Sequence, residues 1–113
     1  MLRVYFERSG GLANIRLTAE VDIASSRLTY GAKKVTRDLS PTEIHDLEEM
    51  VKAADFFQLP AEITARMPGT DQFEYVVTVE TKDSRRRVHV SGAAVSQELQ
   101  SLLNYLTKLA KGG

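Results

Sequence analysis

The chain reads as an α+β fold: two β-hairpins forming a four-stranded, mainly antiparallel sheet with two helices packed on one face, in the order β-β-α-β-β-α. Three observations predict it. Apolar and polar residues alternate in two pairs of segments, each pair joined by a turn-forming cluster. A capping sequence at Ser40-Pro41-Thr42-Glu43 opens a stretch of helical periodicity, and a Leu-rich stretch at helical spacing closes the chain. Each sheet then has one apolar face and each helix one apolar stripe, and stacking the two layers covers both.

In the first hairpin, Leu2, Val4 and Phe6 alternate with Arg3, Tyr5 and Glu7, and Ile15, Leu17, Ala19 and Val21 alternate with Arg16, Thr18 and Glu20. Ser9-Gly10-Gly11 lies between them, and paired glycines supply the positive φ values of a tight reversal. This places Arg8, Ser9, Gly10, Gly11 and the apolar Leu12 together at an exposed tip. Residues 22–39 are less defined: Leu28 with Tyr30 and Val35 with Arg37 alternate around Gly31, which fits either a weak strand extension or a long connection.

The first helix has a Ser40 N-cap, a Pro41 whose missing N–H costs nothing in the first turn, and a Glu43 to complete a capping box. Ile44, Leu47, Val51 and Ala54 form its stripe, opposite Glu43, Asp46, Glu48, Glu49 and Lys52. It runs into Asp55-Phe56-Phe57-Gln58-Leu59-Pro60, where two aromatics plug the core and Pro60 forbids continuation. Ala61 to Thr70 reads as a loop with Met67-Pro68-Gly69 as its turn. In the second hairpin Phe73, Tyr75, Val77 and Val79 share one face, Lys82-Asp83-Ser84 turns the chain, and Val88 and Val90 point inward on the return. The last helix begins near Ser91-Gly92-Ala93-Ala94 and carries Val95, Leu99, Leu102, Leu103, Leu106 and Leu109 on one side, with Lys108 and Lys111 at its negative end.

At 113 residues the chain makes one domain, spanning 1–113, with room for an ordinary core. Fifteen basic and 15 acidic residues leave it neutral, so no global field draws it to nucleic acid or to an anionic membrane. The absence of cysteine excludes disulfides, thiol catalysis and Cys-based zinc sites within it. An alternating strand from the first residues argues against a signal peptide, and no apolar run reaches the ~20 residues of a membrane span. A cytoplasmic protein, monomeric when free, is expected.

No catalytic set emerges. His45 sits among carboxylates on the outside of the first helix, and His89 lies on the polar face of a strand, between arginines that disfavour a bound cation; both read as surface histidines, not metal ligands. No nucleophile has an attached base, and no glycine loop cradles a phosphate. The chain is expected to be a non-enzyme without cofactor or metal. Arg85-Arg86-Arg87 admits two readings. Pairing across the hairpin with Glu74 and Glu80 protects an edge, whereas a binding module would use the same arginines to dock another protein or nucleic acid.

Phe6-Glu7-Arg8-Ser9-Gly10-Gly11-Leu12-Ala13, Ala54-Asp55-Phe56-Phe57-Gln58-Leu59-Pro60, Asp71-Gln72-Phe73-Glu74-Tyr75-Val76-Val77-Thr78-Val79 and the Leu-rich terminal helix together resemble the emfourin, or protealysin-inhibitor, family. Within the hairpin the chain departs from the family's pattern at Leu12, where a Phe is expected, and at Asn14, where a glycine is. The resemblance implies a small bacterial inhibitor of thermolysin-like zinc metallopeptidases that blocks the active-site cleft. It implies peptidase contacts at Arg8, Ser9, Gly10, Gly11 and Leu12. Leu12 would fill an apolar pocket, and Asp71 would direct an oxygen towards the peptidase's zinc or a cleft arginine.

Overall fold

The computed structural model describes residues 1–11, 15–64, 72–91 and 95–113. Seven strands and two helices follow one another as β1 (Arg3–Gly10), β2 (Leu17–Asp22), β3 (Arg27–Tyr30), β4 (Val35–Asp38), α1 (Pro41–Ala53), β5 (Glu62–Thr64), β6 (Phe73–Glu80), β7 (Arg85–Ser91) and α2 (Gln97–Ala110), with a 3₁₀ turn at Phe56–Gln58. The α+β class and the two helices agree with the sequence reading. The sheet does not: it has seven strands in the order β4-β3-β2-β1-β6-β7-β5, and β5 runs parallel to β7 while every other pair is antiparallel.

The three additional strands are short. Residues 22–39 fold as a hairpin of their own, in which Leu28 pairs with Val21 on one side and Arg37 on the other. Gly31 and Lys34 take positive φ in its turn. The segment expected to be a loop from Ala61 contributes β5 because the free edge of β7 needs partners: His89 N–H donates to the Ala61 carbonyl at 2.8 Å. Met67-Pro68-Gly69 lies outside the described residues. So do residues 92–94, and α2 starts later than expected, since Ser91 still belongs to β7 and Ser96 is the N-cap, accepting from Leu99 N–H.

One face of the sheet is apolar along whole rows. Leu28, Val21, Val4 and Val79 stand side by side across four strands, and Ala19, Phe6, Val77 and Val88 form the next row. These residues join Ile44, Leu47 and Val51 of α1 and Leu99, Leu102, Leu103, Leu106 and Leu109 of α2 in one core. α2 lies against β1, β2 and β3, and α1 lies against α2. A fully buried leucine contributes about 1.5–3 kcal/mol, so the stripe of α2 is the largest single apolar contribution of either helix.

The helix ends are closed as their sequences suggest. Ser40 and Glu43 form both halves of the capping box, and Pro41 occupies the first turn. α1 stops where Asp55 takes a left-handed φ of 51°, which turns Phe56 into the core. At the other helix, Gly112 N–H donates to Leu109 and Gly113 N–H to Lys108, the Schellman pattern, with Gly112 at φ 87° and its α-carbon against the Tyr30 ring. Arg37 then ties β4 to α1: its two terminal nitrogens hold Glu43 at 3.2 and 2.8 Å.

Arg37's hydrogen bonds, and next the Ser40 N–H, hold the Glu43 carboxyl down at about 2. A carboxyl lowered on folding contributes stability that is complete above its ordinary value near 4.5 and is lost as pH falls through that value towards 2. Urea midpoints of the wild type should therefore drop between pH 5 and pH 2.5 by more than those of Glu43→Gln. At pH 7 that variant should be less stable by roughly 1.5–3 kcal/mol, the range for hydrogen bonds to charged groups. Parallel pH profiles of the two proteins would show that the Arg37–Glu43 contact does not form in solution.

Candidate functional site

β1 is the central strand, and it outlasts β2. Its pairing with β2 ends at Arg8 opposite Leu17, whereas its pairing with β6 continues through Ser9 opposite Glu74 and Gly10 opposite Phe73. Ser9 and Gly10, expected at the tip of a tight turn, are thus strand residues, and β2 begins only at Leu17. The glycines are needed for a different reason. At Gly10, φ is 90° and a β-carbon would lie 2.4 Å from the Gln72 carbonyl oxygen. At Gly11, φ is 77° and a β-carbon would lie 2.6 Å from Cε1 of Phe73. Gly11 N–H donates to that same Gln72 carbonyl at 3.2 Å. Two glycines let the end of β1 press against the start of β6.

This contact gathers three connections at one end of the sheet. The chain leaves β1 at Gly10, β5 at Thr64 and β7 at Ser91, and in the strand registers all three points lie at the end of the sheet where β6 starts, Gly10 and Ser91 beside β6 and Thr64 one strand further out. Leu12 and Asp71 lie outside the described residues. The residues that flank them in the chain, Gly11 and Gln72, are joined by the hydrogen bond above.

Arg8 occupies this end on the inner face of the sheet, two positions beyond Phe6, with Leu17 and Tyr75 as its neighbours in the row. Its guanidinium carbon stands 4.2 Å from the centre of the Phe73 ring, a cation–π stack. Its Nε is buried without a hydrogen-bond partner. Aromatic rings lead outward from the core: Phe6 to Tyr75 is 6.2 Å between ring centres, Tyr75 to Phe73 6.4 Å. Phe6 is fully buried while Phe73 is 41 % exposed. Ile15, expected on the buried face, precedes β2 and is 56 % exposed. The end of the sheet thus presents apolar surface around one stacked arginine.

Phe73 was placed on the core face by its alternation, but β6 reaches past the helices there. The signal that could have singled out this corner is Arg8 itself, which shares the parity of Val4 and Phe6 and so puts a guanidinium on the apolar side of a strand.

The arginine run of β7 divides between the two faces. Arg86 points inward and donates to the Leu59 carbonyl, while Arg85 faces outward 3.8 Å from Glu80, and Arg87 is exposed on that side. No common patch is formed for a phosphate backbone, and the edge beyond them is covered by β5. Glu74 pairs with His89 and not with an arginine. His89 does not lie between arginines: its Nδ1 is 2.8 Å from Glu62 and its Nε2 3.3 Å from Glu74. Glu62 belongs to the unforeseen β5. His45 is exposed on α1.

A cavity of about 480 Å3 opens at the opposite end, lined by Met1, Glu48, Lys52, Asp55, Phe57 and Thr81 among others. Its lining carries the carboxylates of Glu48, Glu49 and Asp55 and the Lys52 ammonium, with no nucleophile paired to a base. Among the described residues no cluster of His, Cys, Asp and Glu could hold a metal ion.

A sequence model of the emfourin family matches residues 6–107, nearly the whole chain. The chain belongs to the emfourin family. A search of curated proteins finds no match. Emfourin membership points to a protease inhibitor with a protease as its partner, and the apolar, glycine-shaped end of this emfourin is the surface with the features of a docking site.

The close approach of β1 to β6 has a direct test. Gly10→Ala adds a β-carbon where the Gln72 backbone stands, at a φ that costs an L-residue about 1–2 kcal/mol by itself. The variant should lose roughly 2 kcal/mol or more in urea denaturation, by strain at a special backbone site. A change within experimental error would mean that the two strands do not approach as closely as described.

Proposed function

We propose that this emfourin inhibits a thermolysin-like zinc metallopeptidase by seating the connection that follows β1 in the active-site cleft. The observation that carries the reading is the Gly11–Gln72 hydrogen bond at the apolar end of the sheet. It fixes the chain entering residues 12–14 against the chain that has just passed Asp71, so both proposed contact segments spring from one rigid corner. Membership in an inhibitor family supports a protease as the partner, and the choice of a thermolysin-like enzyme comes from what the family resemblance implies.

Each proposed contact then has a chemical part. Leu12 fills the apolar pocket of the cleft, the kind of concave, mostly apolar site that a single side chain can occupy. Ser9 and Gly10 pair with β6 alone, so their other backbone edge has no strand partner among the described residues. Together with Gly11 they suit main-chain hydrogen bonding in a narrow groove. Arg8 lies beside them. Asp71 offers a carboxylate towards the peptidase's zinc or a cleft arginine. A corner held by the sheet loses little conformational entropy on docking, which favours affinity without a large interface.

In the decisive experiment the protein is titrated into a thermolysin-like peptidase and cleavage of a peptide substrate is followed. Activity should fall in proportion to added protein, and unchanged rates at micromolar protein would overturn the proposal. Leu12→Asp should weaken inhibition by about 30-fold or more, the loss of one central contact of ~2 kcal/mol, at an unchanged thermal midpoint. Full potency in that variant would remove the connection from the mechanism.

A further inference from the structure

We infer that Arg8, held over the Phe73 ring, is the site at which this emfourin takes a carboxylate of its partner peptidase, with the exposed Phe73 packing beside it. The inference rests on the proposal that this end of the sheet faces the peptidase.

The first ground is the contrast between Arg8 and the other arginines. Arg3, Arg16, Arg27, Arg37 and Arg85 each lie within 4 Å of a carboxylate, Arg86 donates to a main-chain carbonyl, and Arg87 is exposed to water. The Arg8 side chain is partly withdrawn from water yet makes no hydrogen bond and no ion pair among the described residues. Its Nε is sealed from solvent and unsatisfied. Buried polar groups are normally hydrogen-bonded, so an arginine in this state stabilises the free domain less than an apolar residue of its size would. Its donors become useful when an acceptor arrives from outside.

The second ground is geometry. The guanidinium carbon sits over the Phe73 ring at 4.2 Å, and a guanidinium restrained there presents its planar fork of N–H donors to a carboxylate at small entropic cost. The Phe73 ring is in turn gripped by Gly11, where no β-carbon fits. The stack therefore belongs to the same rigid corner as the residues that enter 12–14. The third ground is charge. A phosphate backbone calls for several cations on one face, whereas among the described residues Arg8 is the one guanidinium on the inner face at this end of the sheet, which suits one carboxylate on a protein surface.

Four variants and one control test this on the same peptidase. Arg8→Gln should raise the inhibition constant about 10-fold or more, chiefly through faster dissociation. Arg8→Lys should recover only part of the loss, since an ammonium keeps the charge without the planar fork. Phe73→Leu should weaken inhibition as well, and Phe73→Leu combined with Arg8→Gln should cost less than the sum of the two, as expected for groups acting as a unit. Wild-type inhibition should weaken as salt rises, with a flatter slope in Arg8→Gln. Arg87→Gln, an exposed arginine on the outer face, should leave potency unchanged. Thermal midpoints accompany every assay. Wild-type potency in Arg8→Gln, or a loss that follows the midpoint with an unchanged salt slope, overturns the inference while leaving cleft blocking intact. A wild-type protein that does not inhibit at all overturns both, and that control tells the two failures apart.

Discussion

Close approach of two backbones governs the functional end of this protein. Gly10 and Gly11 come so near Gln72 and Phe73 that neither position has room for a β-carbon. The contact lengthens β1–β6 by two residues beyond β1–β2, and β1 is the strand on which the other six are arranged. A turn that merely reversed the chain would leave the connection hinged at both strands. Here it is bolted on one side to the start of β6, whose far end continues into the buried row of Val77 and Val79. Rigidity at the surface is thus borrowed from the core.

The outer face shows how the remaining charges are spent. Asp38, Arg27, Asp22, Arg3, Glu80 and Arg85 stand in one row across six strands, alternating in sign. Arg27–Asp38, Arg3–Asp22 and Arg85–Glu80 are ion pairs of 3.7 to 3.8 Å along it. Exposed pairs of this kind contribute about 0–1 kcal/mol each. Their greater effect is to cancel charge locally, so that the face offers no coherent field to a partner. Against that background one unpaired guanidinium on the opposite face is conspicuous.

Much of the frame was legible in the sequence, for identifiable reasons. Ser40, Pro41 and Glu43 act within one turn of chain, and the leucines of α2 repeat over four turns, so local rules suffice for both helices. The long strands β1, β2, β6 and β7 carry enough alternation to be recognised. β5 is three residues long and exists because β7 needs a partner on its edge, a demand that no local pattern expresses. The same blindness misplaced His89, whose partner Glu62 arrives with β5. Gly10-Gly11 suggests positive φ and a turn, and both glycines do take positive φ; only the sheet register reveals the close approach of neighbouring strands that they also permit. Ser91-Gly92 suggested a helix start because Ser and Gly also cap helices, while Ser91 in fact completes the alternation of Val88 and Val90.

The same register explains why the corner suits docking. Among the described residues, the side chains brought to this end of the sheet are a stacked arginine, an exposed phenylalanine and an isoleucine, with two glycines. The His89 ring is turned to the other face and occupied by Glu62 and Glu74. What the corner does supply is shape and preorganisation: an apolar edge, a guanidinium whose Nε is unsatisfied, and backbone tied to β6 by strand pairing and by the Gly11–Gln72 hydrogen bond. Those properties lower the entropic cost of association and do nothing for bond breaking, which is the division of labour expected of an inhibitor.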